Sequence, residues 1–258
     1  MKSKSDMNAQ PATNHHTYQS VKLEILKHIA KLGAPGQRLA AEREWCDLLK
    51  VSRSTIRQAL QSLEIEGEIQ RKRGSGWYVS MPALRIDPSN YIPFTYAARQ
   101  QGRKPSWQEI KIEKLIPRPE IATTFGIRSN QKVPKVQILL ELDSIPVALE
   151  TYYVNPKICS DPSEINHLLP TSDEMQRLLG SKLHRQRLSI KSTSCGDYAA
   201  KLMGIHAESP ASLMTRWFGD DKGFTICFNE LLWRASALEL VVELFETGLP
   251  PNRWTPNA

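Results

Sequence analysis

The chain has 258 residues, 40% of them hydrophobic and 24% charged, which is room for roughly two domains with cores of their own. Its formal net charge is +7, and the excess is uneven: residues 18–80 hold eleven Lys or Arg against seven Asp or Glu, which is +4 of the total. No segment approaches 18 consecutive apolar residues, and the polar start MKSKSDMNAQPATNHH lacks the apolar core of a signal peptide, so a soluble, cytoplasmic protein without membrane partners is expected.

In chain order, residues 1–17 are too polar to bury a core and are expected to be a disordered tail. Tyr18 to Leu32 places Val21, Ile25, Ile29 and Leu32 on one side of a helix. Glu42 to Leu49 offers a second, shorter stripe of Trp45, Leu48 and Leu49, with Val51 able to fill the gap before the next helix. That helix begins after Ser52, an N-cap residue, and repeats Ile56, Ala59, Leu60 and Leu63 at i, i+3, i+4, i+7. Its other face carries Arg53, Ser54, Arg57, Gln58 and Gln61, donors able to reach phosphates and base edges. Lys50 occupies the turn between the two helices, where Gly or Asn suits a left-handed residue better.

From Glu68 the period changes. Ile69 opens an extended run, Arg71-Lys72-Arg73 and Gly74-Ser75-Gly76 form a basic, flexible tip, and Trp77-Tyr78-Val79 returns. Three helices followed by a basic hairpin make a winged helix-turn-helix. The glycines let backbone approach a phosphate or the minor groove, and the cations supply attraction.

The run from Leu39 to Val79, above all Glu42-Arg43-Glu44 and Val51-Ser52-Arg53-Ser54-Thr55-Ile56-Arg57, resembles the DNA-binding domain of GntR-type bacterial regulators. The resemblance implies DNA contacts from Arg43, Arg53 and Arg57, help from Ser52, Ser54 and Thr55, and entry of the Gly74 region into the minor groove; the tip's own chemistry adds Arg71, Lys72, Arg73 and Gly76 to the expected DNA-binding residues. Ala40-Ala41 departs from the Pro-Ser that usually precedes Glu-Arg-Glu, so a helix cap worth about 1 kcal/mol is missing.

Residues 81–95 contain Pro82, Pro88 and Pro93 with little sustained apolar pattern and read as a linker. A second domain is expected over 96–247, followed by a tail at 248–258. Its extended and helical pieces are Trp107–Leu115, Ile121–Phe125, Val133–Leu142, Ile145–Tyr153, Asp173–Leu179, His184–Ser194, Tyr198–Met203, Ala211–Phe218 and Thr225–Trp233. Many strands with few helices predict an antiparallel α+β domain.

Within it, Gln101-Gly102-Arg103-Lys104-Pro105-Ser106, Asp143-Ser144-Ile145-Pro146 leading to Glu150-Thr151-Tyr152-Tyr153, Ala199-Ala200-Lys201-Leu202-Met203-Gly204, and Phe228-Asn229-Glu230 leading to Trp233-Arg234 resemble the UTRA effector domain of the HutC branch of GntR regulators. That domain is similar in fold to chorismate lyase. Two segments, GWYVSMPALRIDPSN and NELLWRASALEL, look most like regulators of phosphonate utilisation. The resemblance implies an effector site built from Glu150, Tyr152, Glu230, Arg234 and Ser106, with Glu150 and Glu230 facing one cleft.

Arg234 is the leading candidate for an acidic ligand, because a guanidinium binds carboxylate or phosphate through two bonds. Glu230 either pairs an amine on a zwitterionic ligand or simply pairs Arg234. Ile138 and Leu140 stand where sugar-phosphate-responsive relatives carry Arg-x-Arg, which argues against that ligand class. Ala235-Ser236 replaces the His-Asp of phosphonate-type relatives. An effector from amino-acid or sugar catabolism is the alternative.

The four cysteines, Cys46, Cys159, Cys195 and Cys227, include no Cys-x-x-Cys pair and read as small apolar residues rather than metal ligands; no cofactor is expected. No nucleophile elbow, phosphate loop or metal-helix motif supports an enzyme. The expected protein is a transcriptional regulator, and repression relieved by effector is what the resemblance implies. It would act as a homodimer on a pseudo-palindromic double-stranded operator, because one winged helix covers little DNA.

Overall fold

The computed structural model describes residues 18–32, 34–72, 74–161, 184–220 and 222–242, with Lys72 and His184 described by backbone alone. The tails at 1–17 and 248–258, Arg73 and the element expected over Asp173–Leu179 lie outside the described residues. The chain forms two compact units, the first holding residues up to Gln70 together with Ser75–Ser80.

In the first unit, helices α1 (Tyr18–Leu32), α2 (Glu42–Leu49) and α3 (Arg53–Ile65) precede a hairpin of β1 (Ile69–Lys72) and β2 (Gly76–Val79). Val21 and Ile25 of α1, Trp45 of α2, and Ile56, Ala59, Leu60 and Leu63 of α3 meet in one core with Ile69 and Trp77. Leu48, expected on the apolar stripe of α2, is 65% exposed, so that face is narrower and consists of Trp45 with the half-buried Cys46 and Leu49. Residues 36–39 add a third edge to the hairpin through Leu39 N–H to the Trp77 carbonyl (2.8 Å) and Val79 N–H to the Gln37 carbonyl (2.8 Å).

The second unit is a six-stranded antiparallel sheet with three flanking helices among the described residues. Its strands are β4 (Pro105–Leu115), β5 (Val133–Leu142), β6 (Ile145–Val154), β7 (His184–Ser194), β8 (Pro210–Gly219) and β9 (Thr225–Arg234), in the order β4-β5-β6-β9-β8-β7. The helices are α4 (Phe94–Gln100), α5 (Pro119–Phe125) and α6 (Gly196–Met203). Side chains alternate between the two faces at each residue. One face carries Val136, Ile138 and Leu140 of β5 with Met214 and Phe218 of β8 and Leu231 and Trp233 of β9. The other carries two separate apolar clusters, one with Ile121 and Phe125 of α5, one with Ala199, Ala200 and Met203 of α6. Between these clusters, a polar row crosses the sheet in register: Lys111, Gln137, Thr151, Glu230, Thr215 and Ser189.

Residues 81–95 are not a free linker. A short strand, β3 (Leu84–Ile86), pairs in parallel with β10 (Leu238–Leu240), Leu84 is wholly buried, and Tyr91 packs edge-on against Phe218 at 5.1 Å. The prolines masked an apolar series, Leu84, Ile86, Tyr91 and Phe94, that packs against the sheet.

Candidate nucleic-acid interface and ligand cavity

Ser52 caps α3 as its sequence position predicts: its Oγ accepts the Thr55 backbone N–H at 3.2 Å and lies 2.7 Å from Ser54 Oγ and 2.9 Å from Thr55 Oγ1. This leaves the positive end of α3, with its unpaired amides, presented beside exposed Arg53 and Ser54. Arg57 is also exposed, one turn further along, and its Nε donates to Glu42 Oε2 at 2.9 Å. Arg43 stands exposed on α2. Glu42 therefore orients Arg57 from the neighbouring helix, which presets a donor that would otherwise sample many rotamers.

The start of α2 compensates in part for the missing cap. Ala41 has no acceptor to offer, yet its backbone N–H donates to Glu44 Oε2 at 2.7 Å, so half of a capping box is present. Lys50 takes the left-handed conformation that the turn requires (φ 55°, ψ 41°) without being Gly or Asn. At the wing, Gly74 (φ 73°) and Gly76 (φ 108°) supply positive φ beside exposed Arg71. Arg38 is a further exposed cation on this surface: it bridges to Tyr78, and its guanidinium would lie 3.8 Å from a Cβ at Gly76. Its position between the turn after α1 and the apolar Leu39 carries no sequence signal of its own.

In the second unit the expected effector residues do not converge. Glu150 pairs across strands with Leu231, and Thr151 pairs with Glu230, so Glu150 and Glu230 point to opposite faces of the sheet. The expectation that they face one cleft is corrected by this register. Glu230 accepts from Arg118 Nη2 at 2.7 Å on the α5 side. Arg234 lies on that same face by alternation, is 5% exposed, and its Nη1 lies 3.5 Å from the Pro146 carbonyl oxygen. Ser106 sits on edge strand β4, donating to Glu141 Oε2 at 2.9 Å.

Glu150 and Tyr152 do line a cavity, and the guanidiniums beside them are Arg216 and Arg185 rather than Arg234. Arg216, 9% exposed, donates through Nη2 to Glu150 Oε1 (2.5 Å) and through Nε to Asn229 Oδ1 (2.7 Å). Asn229 Nδ2 in turn donates to Glu150 Oε1 at 3.1 Å. The flat guanidinium lies over the rings of Tyr91 (5.5 Å) and Phe218 (5.7 Å). Burial is the largest influence and opposes its charge, but the Glu150 carboxylate acting together with Tyr91, Tyr152 and Cys227 holds Arg216 above the ordinary arginine value. Burial, reinforced by the Glu150 charge, pushes the Tyr152 phenol well up, so it stays a neutral hydroxyl.

Arg185 reaches this face through a bulge. The register shifts between Arg185 and Arg187, so Arg185 pairs with Phe218 on the cavity side while Arg187 lies over Trp217 on the other, 4.7 Å from its ring centre. Arg185 Nη2 donates to the Ser89 carbonyl at 2.8 Å. Burial, then the nearby Arg216 charge, hold it below the ordinary arginine value, with Asp87 acting in the opposite direction. The remaining wall is the coil between β3 and α4, including Asn90, Tyr91 and Pro93, with Phe94 of α4, and the free volume is about 30 Å³. That is space for a few waters at most, so a metabolite must displace part of the wall.

A three-helix head with a capped, arginine-bearing helix and a glycine-turned wing, joined to an antiparallel sheet with a charged cavity, defines a helix-turn-helix transcriptional regulator with a ligand-sensing unit. Residues 17–79 match the family of bacterial regulatory proteins described as GntR, and residues 100–239 match the UTRA domain. The chain belongs to the UTRA-bearing GntR regulators, a family of transcription factors rather than enzymes. It is 27% identical over 235 residues to the HTH-type transcriptional regulator YihL of Escherichia coli K12, covering 90% of this chain and all of that protein. With the HTH-type transcriptional repressor NagR of Bacillus subtilis it shares 25% identity over 196 residues, 75% of this chain and 81% of that one. The crystal structure of PhnF from Mycobacterium smegmatis has the same fold, with a TM-score of 0.57 at 23% identity over 87% of this chain and 99% of that one. Among the described residues, no helix is long and apolar enough to cross a membrane.

Proposed function

We propose that this regulator is a cytoplasmic repressor that binds a pseudo-palindromic operator as a homodimer and is released by a small anionic or zwitterionic metabolite. Phosphonates and carboxylates are the leading ligand classes. In the head, Arg53, Ser54 and Arg57 read the major groove, Arg43 and the α3 amino end hold phosphates, and Arg38 and Arg71 through Arg73 act at the wing. In the sensor, the ligand's anionic group is received by Arg216 and Arg185, and an amine, where present, by Glu150.

The observation that carries this reading is the buried Arg216–Glu150 pair under a wall made of the chain segment that leaves the head. Only residues 80–83 separate β2 from β3, and the wall follows β3 directly. A ligand bulkier than the few waters this cavity holds shifts this wall or turns Arg216 away from Glu150. Either movement is transmitted along a short stretch of chain to the base of the wing. The effect on operator affinity is limited by the ligand's preference for one arrangement over the other. Relatives named as repressors support the direction of control.

The test takes the full chain in two stages. Duplexes selected from a random library by the purified protein should share an inverted repeat, and a panel of phosphonates, carboxylates and amino acids should contain members that both raise its melting temperature and release that duplex. Retention of duplexes without any shared sequence would refute operator recognition. Release that survives Arg216→Met unchanged would refute the cavity.

A further inference from the structure

Trp233, the penultimate residue of β9, is wholly buried and lines the cavity, with Phe94 tilted against its ring at 5.9 Å. Its indole Nε1–H is shut off from solvent and has no acceptor among the described residues. A buried donor left unmade is costly, and native structures leave few of them. Trp45 of the head also has an unpartnered indole N–H, packed in the head core against the His28 ring (5.1 Å), and the buried Gln70 Nε2 is likewise unmet. Trp233 is itself a wall residue of a cavity lined by charged groups, so its unmet donor is carried by a side chain bordering that space.

From Trp233 the cavity face of β9 continues through Leu231 to Asn229, the partner of Arg216. Four residues of strand span roughly 13 Å. At the Asn229 end the lining side chains present two guanidiniums, Arg185 and Arg216, against one carboxylate, Glu150. Asp87 offsets Arg185 from behind, but its own oxygens are taken up by Ser89 and Asn90. Between the two ends the floor is formed by Leu231 and Met214, with Glu150 opposite Leu231 in register and its carboxylate drawn to Arg216 and Asn229.

We propose that the ligand is an elongated monoanion whose anionic group sits against Arg185 and Arg216, whose apolar body lies over Leu231 and Met214, and whose distal oxygen accepts the Trp233 Nε1–H. The inference rests on the sensing reading given above and makes it more specific. A carbonyl, ether or hydroxyl oxygen satisfies the acceptor role. A compact anion such as inorganic phosphate fills only the charged end. Trp233 thereby sets specificity, because a site built around a hydrogen bond discriminates against analogues lacking the group far more than an apolar pocket discriminates by size.

The experiment uses the full chain labelled with 15N at its tryptophan indoles, titrated with 6-oxoheptanoate and 8-oxononanoate and with the matched acids heptanoate and nonanoate. At least one oxo acid should bind about tenfold tighter than its alkanoate and move a single indole N–H resonance, the one missing from Trp233→Phe. In Trp233→Phe the two affinities should become equal within about twofold, with alkanoate binding and operator binding retained. Equal binding of oxo acid and alkanoate by the parent chain, or a preference that survives Trp233→Phe, overturns the Trp233 assignment and leaves anion sensing intact. Failure of all four acids and of inorganic phosphate to bind overturns both. Should Trp233→Phe not fold, the indole resonance in the parent chain decides: no shift on oxo acid binding overturns the assignment.

Discussion

Replacing Glu150 by leucine strands a buried charge, and its cost follows from the surroundings of Arg216. The pair is almost closed to solvent, at 4% exposure for Glu150 and 9% for Arg216. Without the carboxylate, Arg216 keeps the Asn229 amide oxygen and two ring faces, which solvate a guanidinium far less well than an anion at 2.5 Å. Removing one partner of such a pair costs about 3–5 kcal/mol, whereas replacing both by apolar side chains of similar volume is often neutral or stabilising. For a unit of this size each kcal/mol moves the melting temperature by about 2–4 °C, so Glu150→Leu should lower the sensor transition by roughly 6–20 °C.

Arg216→Met leaves a buried carboxylate and should fall in the same range, while the double variant Glu150→Leu/Arg216→Met should return most of the loss. Calorimetry on the full chain suits the measurement, because the head has its own core and supplies an internal reference transition. A Glu150→Leu transition within about 2 °C of the parent, or a double variant no better than the worse single one, would show that the pair is not the buried electrostatic unit described here.

Other substitutions test the head and the sensor separately. Arg53→Ala and Arg57→Ala should each weaken operator binding by about 1–3 kcal/mol if they read bases, and Glu42→Gln should reproduce a smaller part of the Arg57 effect; unchanged footprints would remove them from the interface. Ala41→Ser completes the capping box begun by Glu44 and should stabilise the head by about 1 kcal/mol in chemical denaturation, and no gain would mean that the α2 end frays. Arg71→Ala should reduce the slope of log affinity against log salt by about 1, with an unchanged slope placing the wing away from phosphates. Arg234→Lys should leave metabolite-induced operator release intact where Arg216→Met abolishes it; the reverse result would restore Arg234 to the ligand site.

The head was legible because its helices are amphipathic within a single turn of sequence. Ile56, Ala59, Leu60 and Leu63 announce both the core face of α3 and, by exclusion, the exposed face of Arg53 and Arg57. Strand boundaries in the sensor were also legible, with Val133–Leu142 and His184–Ser194 matching the structure end to end. What sequence does not carry is parity between strands. Each strand shows which residues share a face, but only pairing shows that the face of Glu150 is the face of Leu231 and not of Glu230.

Arg216 was detectable in principle, since it alternates with Met214 and Phe218 in the inward register of an apolar strand. A charged residue in that register calls for a buried partner. Arg185 was not detectable, because simple alternation puts it on one face with Arg187 and only the bulge at Gln186 separates them.

The parallel pairing of β3 with β10 joins residues 154 positions apart, as in the Arg85–Glu239 contact at 2.7 Å. During translation at about 5–20 residues per second, the ribosome needs roughly 8–30 s to deliver the second partner after the first. The head, complete by Ser80, emerges whole well before that. A nascent polypeptide therefore acquires its duplex-reading part while the sensing part still lacks the strand that covers Leu84. Messages interrupted in the last codons before Leu238 would yield a complete head and all six strands of the main sheet, but leave β3 without its parallel partner.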